Sequence, residues 1–354
     1  MAKVVKLNSV SNLLEVFKNL ESEYEVYCPV KQDDTETFVP VNQTNVNDSQ
    51  DLKEILSKNE PTSFPLKSFL FPDSETFLEF QREKDKVEFS VTKGKELSRV
   101  ILGGKPCDVE SFKMIDMVFL DEPVDTFYQD NRDKTILISS VCNEKGPNCL
   151  CDDFGINRTA PEMADILLIT GEKTTANTDE IYLKSTSEKG EKLIEKLTEF
   201  DSVEETGEVE INKVESSEEE LSAETIKDKI EELYESSIWE ELAMRCLSCG
   251  ICTYYCPTCH CYDISDFYRK DQGVRYRSWD SCMYKNFTNM AGGHNPRSNK
   301  PDRIRNRFFH KLNYFVKQQG PLACVGCGRC AKNCPAGISI NTVLKKIGGE
   351  KFEK

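Results

Sequence analysis

Apolar positions in the first two thirds of the chain follow two patterns, one with a helical period and one of short runs. Residues 8–21 (NSVSNLLEVFKNLE) place three leucines and Phe17 on one side and predict an amphipathic helix. Residues 24–29 (YEVYCP) predict a strand that a proline ends. From about residue 87, five apolar runs alternate with polar or turn segments and predict short strands: VEFSV, RVILGG, DMVFLD, KTILISSV and ADILLIT. This alternation predicts an α/β-like unit with a small sheet.

An acidic segment separates this unit from the rest of the chain. Residues 203–220 (VEETGEVEINKVESSEEE) are poor in apolar residues, which is typical of a solvated linker. A helix is predicted next, over about residues 222–245, because its isoleucines and leucines share one face. The predicted divisions are an N-terminal domain at 1–200, an acidic linker at 201–221 and a C-terminal domain at 222–354.

The cysteine content indicates metal binding. The chain has 16 cysteines among 354 residues, and eleven of them lie between Cys246 and Cys334. Its first residues (MAKVVKLNSV) lack the apolar core of a secretory signal, so we expect a cytoplasmic protein. In a reducing compartment, this many cysteines favour metal ligation over a disulfide framework.

Charge is distributed as unevenly as cysteine. The net charge is −15, yet residues 246–354 contain 18 Lys and Arg against 7 Asp and Glu. The acidic total disfavours nucleic acid and membrane surfaces as general partners. No run of 18 apolar residues occurs, so no membrane span is expected.

Two cysteine motifs carry the most specific chemistry. Residues 246–257 (CLSCGICTYYCP) and 324–335 (CVGCGRCAKNCP) both have the spacing C-x2-C-x2-C-x3-C-P of bacterial two-cluster ferredoxins. In that pattern three cysteines bind one [4Fe–4S] cluster and the fourth binds the other. The predicted ligand sets are Cys246, Cys249, Cys252 and Cys334 for cluster 1, and Cys324, Cys327, Cys330 and Cys256 for cluster 2. Two structural zinc sites are the alternative, but two complete four-cysteine runs followed by proline favour cubanes. The fold class predicted is therefore α+β, with a C-terminal, mostly helical two-cluster ferredoxin domain.

A basic insert, residues 258–323, lies between the two motifs. It contains Cys259, Cys261 and Cys282, which either bind another metal, with His260, or pack as buried thiols. Its basic stretch RIRNRFFHKLNYFVKQQG would balance cluster charge and raise reduction potential, or dock on an acidic partner.

A third set of cysteines precedes the linker. Cys107 follows one predicted strand, and Cys142, Cys149 and Cys151 follow another. Ligand sites of α/β folds commonly lie at strand ends, so a third cluster is one interpretation. Scattered structural cysteines are the other, and the spacing alone leaves both open.

Several segments resemble a known family. LKSFLFPDSETFLEF, GGKPCD, CPTCHCYD, WDSC and GGHNPR, with the cysteine motifs, are similar to the iron–sulfur subunit that sulfhydrogenase (as its beta subunit) and anaerobic sulfite reductase share. The resemblance runs from about residue 66 onward. It implies an electron carrier between a flavoprotein subunit that handles NAD(P)H and a catalytic subunit of hydrogenase or sulfite-reductase type. It also implies a third [4Fe–4S] cluster at Cys107, Cys142, Cys149 and Cys151.

The functional hypothesis is an iron–sulfur electron-transfer subunit of a cytosolic anaerobic oxidoreductase complex. No GxGxxG or GxxxxGK[ST] motif occurs, so no nucleotide or flavin site is evident, and no catalytic residue is identified. The alternative is a stand-alone flavin-dependent reductase that its own clusters supply with electrons. A visible spectrum of the isolated chain separates the two hypotheses, because only the second requires flavin.

Overall fold

A computed structural model provides the structure of the protein. It describes residues 2–348 except 34, 45, 85, 93, 95, 175–178 and 213–221. The strands are β1 (Val4–Leu7), β2 (Tyr24–Gln32), β3 (Thr35–Pro40), β4 (Ser74–Glu83), β5 (Lys86–Val91), β6 (Ser98–Gly104), β7 (Thr135–Ser140), β8 (Ile166–Thr170), β9 (Ile181–Ser185), β10 (Glu204–Thr206), β11 (Tyr262–Arg269) and β12 (Gln272–Trp279). The helices are α1 (Val10–Lys18), α2 (Val46–Ser57), α3 (Lys67–Leu70), α4 (Pro106–Phe119), α5 (Thr126–Asp133), α6 (Glu188–Leu197), α7 (Ala223–Glu232), α8 (Ile238–Arg245), α9 (Ile251–Tyr254), α10 (Lys300–Phe309), α11 (Phe315–Gln319), α12 (Arg329–Lys332) and α13 (Ile340–Ile347).

An eight-stranded mixed sheet forms the N-terminal part, in the order β10-β1-β9-β8-β7-β6-β2-β3. Its centre, β2-β6-β7-β8, is parallel, and the remaining pairs are antiparallel. Every residue of β7 and β8 is buried, since helices and loops cover both faces of the sheet. Parallel strands that are buried on both faces have nearly continuous apolar sequences. The runs RVILGG, KTILISSV and ADILLIT, which form β6, β7 and β8, have this composition. The α+β fold class is confirmed, although this sheet is larger than the small one predicted.

Two strand predictions differ from the structure. Strand β2 continues past Pro29, so the proline does not end it. The run DMVFLD belongs to the end of α4 and the turn after it. Pro106 occupies the first turn of α4, where its missing N–H costs nothing. Val109, Phe112 and Ile115 then recur at helical spacing and pack in the core beneath the sheet. The apolar residues of the run are therefore divided between the end of this helix and the turn after it, and they pack against two different cores.

The single helix predicted over 222–245 is also wrong. Helix α7 ends at Glu232, and α8 begins at Ile238. The indole N–H of buried Trp239 donates to the carbonyl oxygen of Leu233 at 2.7 Å, which satisfies a backbone acceptor at the break. Within the predicted linker, Glu204–Thr206 form β10 and pair with β1, whereas 213–221 lie outside the described residues.

A second sheet joins distant parts of the chain. Strands β4 and β5 precede the linker, and β11 and β12 belong to the basic insert, yet they form one antiparallel sheet in the order β11-β12-β4-β5. At its base the Arg277 guanidinium is buried and forms ion pairs with Glu75 and Asp125. The insert is therefore anchored on the N-terminal part.

The C-terminal helices share a core with the N-terminal part. This core includes Trp239, Phe308 and Phe315, and it also takes in Cys107, Cys151 and other residues from before the linker. Because the core crosses the linker, the cysteine-rich segments of both parts lie against one another. Within the described residues, no helix is long and apolar enough to cross a membrane.

Candidate functional site

The two cysteine motifs adopt matching loops. In the first, Ser248 and Gly250 have positive φ angles of 54° and 79°; in the second, Gly326 and Gly328 have 60° and 76°. These residues stand two and four positions after the first cysteine of each motif. The repeated left-handed positions curl each loop so that its three cysteines face one side. Equal spacing has thus produced equal backbone geometry at both motifs.

The first loop faces a cavity lined by four cysteines. Cys246, Cys249 and Cys252 come from the first motif, and Cys334 comes from the second. Burial raises the pKa of the Cys252 thiol, and the neighbouring sulfurs of Cys246 and Cys334 raise it further. The remaining lining of the cavity is mainly apolar and includes Arg307. This cradle brings together the four residues predicted for cluster 1.

Backbone N–H groups point at the sulfurs of these loops. Ser248 N lies 3.3 Å from Cys246 Sγ, and Gly326 N lies 3.5 Å from Cys324 Sγ, the equivalent positions of the two motifs. Ile338 N lies 3.3 Å from Cys334 Sγ. Such donors favour the deprotonated sulfur, the form that binds iron. The donor set therefore fits thiolate ligands of a cluster.

The second loop is brought close to Cys256. Burial raises the pKa of the Cys324 thiol to about 12, with Cys256 and Cys330 among the neighbours that raise it. Burial also raises the pKa of Cys327, again with Cys256 and Cys330 nearby. Cys256 is thus a neighbour of Cys324 and Cys327 in the other motif, the arrangement predicted for cluster 2.

Two buried cations lie beside these sulfurs. Lys311 Nζ donates to Cys256 Sγ at 3.2 Å, to Thr258 Oγ1 at 2.8 Å and to the carbonyl oxygen of Ala323 at 3.0 Å. It sits in a π-helical turn, His310–Tyr314, between α10 and α11, and such widened turns are frequent at functional sites. Cys252, Cys330 and Cys256 raise the pKa of buried Arg307, although its burial opposes them. These side chains balance negative charge on sulfur.

Lys311→Met is expected to lower the reduction potential of a cluster held by Cys256 by roughly 60–130 mV. The reduced cluster carries one more negative charge, and a charge-assisted hydrogen bond of about 1.5–3 kcal/mol stabilises it. A redox titration followed by electron paramagnetic resonance measures the shift. The exposed Lys317→Met is the control, because Lys317 pairs with Glu231 on the surface. Equal potentials in the wild type and Lys311→Met would contradict a role for Lys311 in setting the potential.

The upstream cysteines also assemble. Burial raises the pKa of the Cys151 thiol to about 12, and Cys149 and Cys142 are among its near neighbours. Burial likewise raises the pKa of Cys107, which occupies the first turn of α4 and has Cys327 and Cys149 beside it. Cys28 lies apart from these groups, in the core against the eight-stranded sheet. The fold therefore brings Cys107 and the strand-end cysteines together, 35 or more positions apart in sequence.

The upstream loop packs directly on the second motif. Leu150 N donates to the carbonyl oxygen of Gly326 at 2.7 Å. A β-carbon at Gly326 would lie 2.3 Å from the Leu150 backbone, and one at Gly328 would lie 2.5 Å from the Asn148 carbonyl oxygen. Glycine at these two positions permits the close approach, so the upstream cysteines lie immediately beside the second loop.

Gly326→Ala is expected to destabilise the protein by about 2–4 kcal/mol. The alanine adds left-handed backbone strain to a clash with the Leu150 backbone. Gly292→Ala is the matched control, because Gly292 has a φ of 87° but open space around it. This variant is expected to lose about 1–2 kcal/mol of stability, from backbone strain alone. Anaerobic denaturant titration measures both, and equal losses would show that the loop contact contributes nothing.

A buried ion pair connects the same two segments. Arg329 Nη1 and Nη2 donate to the two carboxylate oxygens of Asp108 at 2.7 and 2.6 Å. The side chains are only 2% and 1% exposed. Arg329 Nε also donates to the carbonyl oxygen of Thr62 at 2.9 Å. Arg329 follows Gly328 in the second motif and Asp108 follows Cys107, so the pair holds these cysteines near each other.

Sequence reasoning missed several of these charged residues. Lys67 is almost fully buried and donates to the carbonyl oxygens of Thr253 and Cys259. Burial lowers its pKa to about 8. The sequence signal that could have identified Lys67 was a lysine inside the apolar run LKSFLF.

In the part of the chain that the structure describes, no group of three or more His, Cys, Asp or Glu side chains is spaced to hold a single metal ion.

One comparison with known proteins concerns the cysteine-rich part of the chain, and another concerns nearly its whole length. A family model described as a 4Fe–4S dicluster domain matches residues 245–338, which contain both motifs. The protein named sulfhydrogenase 2 subunit beta from Pyrococcus furiosus is 31% identical over 352 residues, covering 98% of each chain. The domain match supports two [4Fe–4S] clusters in the residues that carry the matching loops.

Proposed function

Because this chain belongs to the family of sulfhydrogenase beta subunits and is an iron–sulfur electron-transfer subunit, we propose that it relays electrons through three [4Fe–4S] clusters. The relay connects a flavoprotein subunit that handles NAD(P)H with a catalytic oxidoreductase subunit of hydrogenase or sulfite-reductase type. The observation that carries the proposal is the unbroken series of cysteine groups from the first motif to the upstream loop.

The order of the relay follows from which sulfurs are neighbours. Cys252 of the first group lies near Cys330 of the second. Cys327 of the second group lies near Cys107 of the upstream group. Electron tunnelling requires closely spaced carriers, and each group has a sulfur that neighbours the next. Cluster 2 is therefore the middle carrier of the three.

The ligand sets of the proposal are those of the sequence prediction. Cluster 1 takes Cys246, Cys249, Cys252 and Cys334; cluster 2 takes Cys324, Cys327, Cys330 and Cys256; and cluster 3 takes Cys107, Cys142, Cys149 and Cys151. The four-cysteine cavity supports the first set, and the neighbours of Cys324 and Cys151 support the others.

The protein contributes the surroundings of the clusters rather than a reaction site. Bound cubanes supply reversible one-electron chemistry at iron. Lys311 and Arg307 supply buried positive charge, and loop N–H groups supply hydrogen bonds to sulfur. Such donors raise the potential of a nearby cluster.

Iron analysis of the full chain, purified anaerobically, tests the proposal. Three clusters predict about twelve irons and twelve acid-labile sulfides per chain. Eight irons would contradict cluster 3, and bound zinc in place of iron would contradict all three. A visible spectrum with flavin absorption would instead support the stand-alone reductase.

The partner arrangement is tested on the complex isolated from source cells. The chain is expected to migrate on native gels with a flavoprotein and a catalytic subunit, identified by mass spectrometry of the excised band. Recovery of the chain mainly as a free monomer would contradict the subunit proposal, whatever its iron content.

A further inference from the structure

Two cysteines outside the proposed ligand sets meet at the open end of a hairpin. Cys261 immediately precedes β11, and Cys282 follows β12 by three residues. Tyr262 pairs with Trp279, and Asp280 N donates to the carbonyl oxygen of Cys261 at 3.0 Å. The hairpin register therefore holds the two cysteines together, although 20 residues separate them.

The two thiols are close neighbours and are not equivalent. Cys282 lowers the pKa of the neighbouring Cys261 thiol to about 7, and Lys311 and Lys67 lower it further, against the effect of burial. Cys282 is buried, and Cys261 raises its pKa. A pair in which one thiol ionises more readily than the other is typical of reactive dithiols.

The pair also lies near the proposed middle carrier. Cys259 is a neighbour of Cys282, and its N–H donates to the carbonyl oxygen of Cys256, the proposed ligand of cluster 2, at 3.3 Å. Lys311 contacts Cys256 and is also a charged neighbour of Cys261. A short series of sulfurs therefore runs from the pair to cluster 2.

We propose that Cys261 and Cys282 form a reversible dithiol–disulfide couple that exchanges electrons with the cluster held by Cys256, Cys324, Cys327 and Cys330. The inference rests on the proposed function for its electron source. Each cluster of the relay carries one electron at a time, whereas the dithiol–disulfide couple would store two electrons in the same chain.

The chemistry balances with electrons from the relay and protons from water. On reduction, the S–S bond between Cys261 and Cys282 breaks, two electrons arrive one at a time through cluster 2, and each sulfur takes up one proton. On oxidation, the S–S bond forms, two electrons return to oxidised clusters, and two protons leave. Cys261 is partly exposed, so protons have a route to solvent.

Thiol mapping of the anaerobically purified full chain tests the couple. One sample is reduced with dithionite and another is oxidised with thionine; both are denatured in acid, alkylated and digested for mass spectrometry. A Cys261–Cys282 linked peptide is expected in the oxidised sample alone. Finding both residues alkylated in both samples would overturn the proposal.

Electron counting separates this inference from the proposed function. Complete reduction of the oxidised wild type is expected to consume two more electrons per chain than reduction of Cys282→Ser or Cys261→Ser, at equal iron content. The control Cys28→Ala, in the sheet core, is expected to match the wild type. Equal uptake by the wild type and both serine variants would overturn the couple, as would a loss of about four irons in them, since the cysteines would then be cluster ligands. The iron content of the wild type tests the three-cluster relay independently.

Discussion

Cys256→Ala is expected to remove cluster 2 and to leave cluster 1 in place. The iron content of the full chain would fall from about twelve to about eight. Electron paramagnetic resonance of the reduced protein would lose the signal of one cluster, together with its magnetic coupling to the neighbouring ones.

The expected selectivity follows from where Cys256 lies. It belongs to the first motif by sequence, yet it neighbours Cys324 and Cys327 of the second, and Lys311 donates to its sulfur. Alanine at this position takes away one of four thiolates and leaves the Lys311 ammonium buried without its sulfur acceptor. Both effects act on the second loop.

Cys334→Ala is the reciprocal variant. Cys334 belongs to the second motif but lines the cavity with Cys246, Cys249 and Cys252, so its loss is expected to remove cluster 1. Cys28→Ala is the control and is expected to retain all the iron. If Cys256→Ala removed the cluster of Cys246 and spared that of Cys324, the crossed assignment would be wrong.

Asp108→Asn is expected to lower the free energy of unfolding by about 3–5 kcal/mol. The variant removes the charge that two guanidinium donors of Arg329 share and leaves that buried cation without its counter-charge. Because whole domains are stable by only about 5–15 kcal/mol, this loss is a large fraction. Anaerobic denaturant titration measures it.

Two further variants show whether burial causes the effect. Lys332 and Glu60 form an ion pair with the same 2.6 Å separation, but their side chains are 55% and 30% exposed, so Glu60→Gln is expected to lose about 0–1 kcal/mol. Replacing both Asp108 and Arg329 with leucine and methionine is expected to recover much of the stability, because no unpaired charge remains. If Asp108→Asn lowered the free energy of unfolding by less than about 1 kcal/mol, the buried pair would contribute no more than an exposed one. That result would contradict the prediction.

The errors of the sequence prediction have a common physical origin. DMVFLD has the composition of a strand, but its residues belong to α4 and the turn after it, and α4 packs its apolar face under the sheet. The segment 222–245 has a continuous helical pattern, but the chain breaks where Trp239 bonds back to Leu233. In both cases a tertiary contact overrides a local preference. A short window of sequence shows the preference but contains no information about the contact.

The candidate site was predictable to the extent that its chemistry is local. Cysteine spacing within 246–257 and 324–335 determines two loops, each able to hold three corners of a cubane. The same glycine positions recur in both, except that Ser248 stands where the second motif has Gly326. Cys107 and Cys142 carry no such spacing, so their meeting with Cys149 and Cys151 required the sheet.

The sequence by itself determined the two motifs, the predicted crossing of their fourth cysteines and the family, because these depend on residues a few positions apart. The tertiary structure decided which sulfurs become neighbours beyond that range. Asp108 and Arg329 are 221 positions apart, and Lys67 and Cys259 are 192 apart. Buried charges of this kind are stable only when paired, and their partners are chosen by packing rather than by spacing. Cys261 and Cys282 likewise come near each other only because the register of one hairpin places them at its open end.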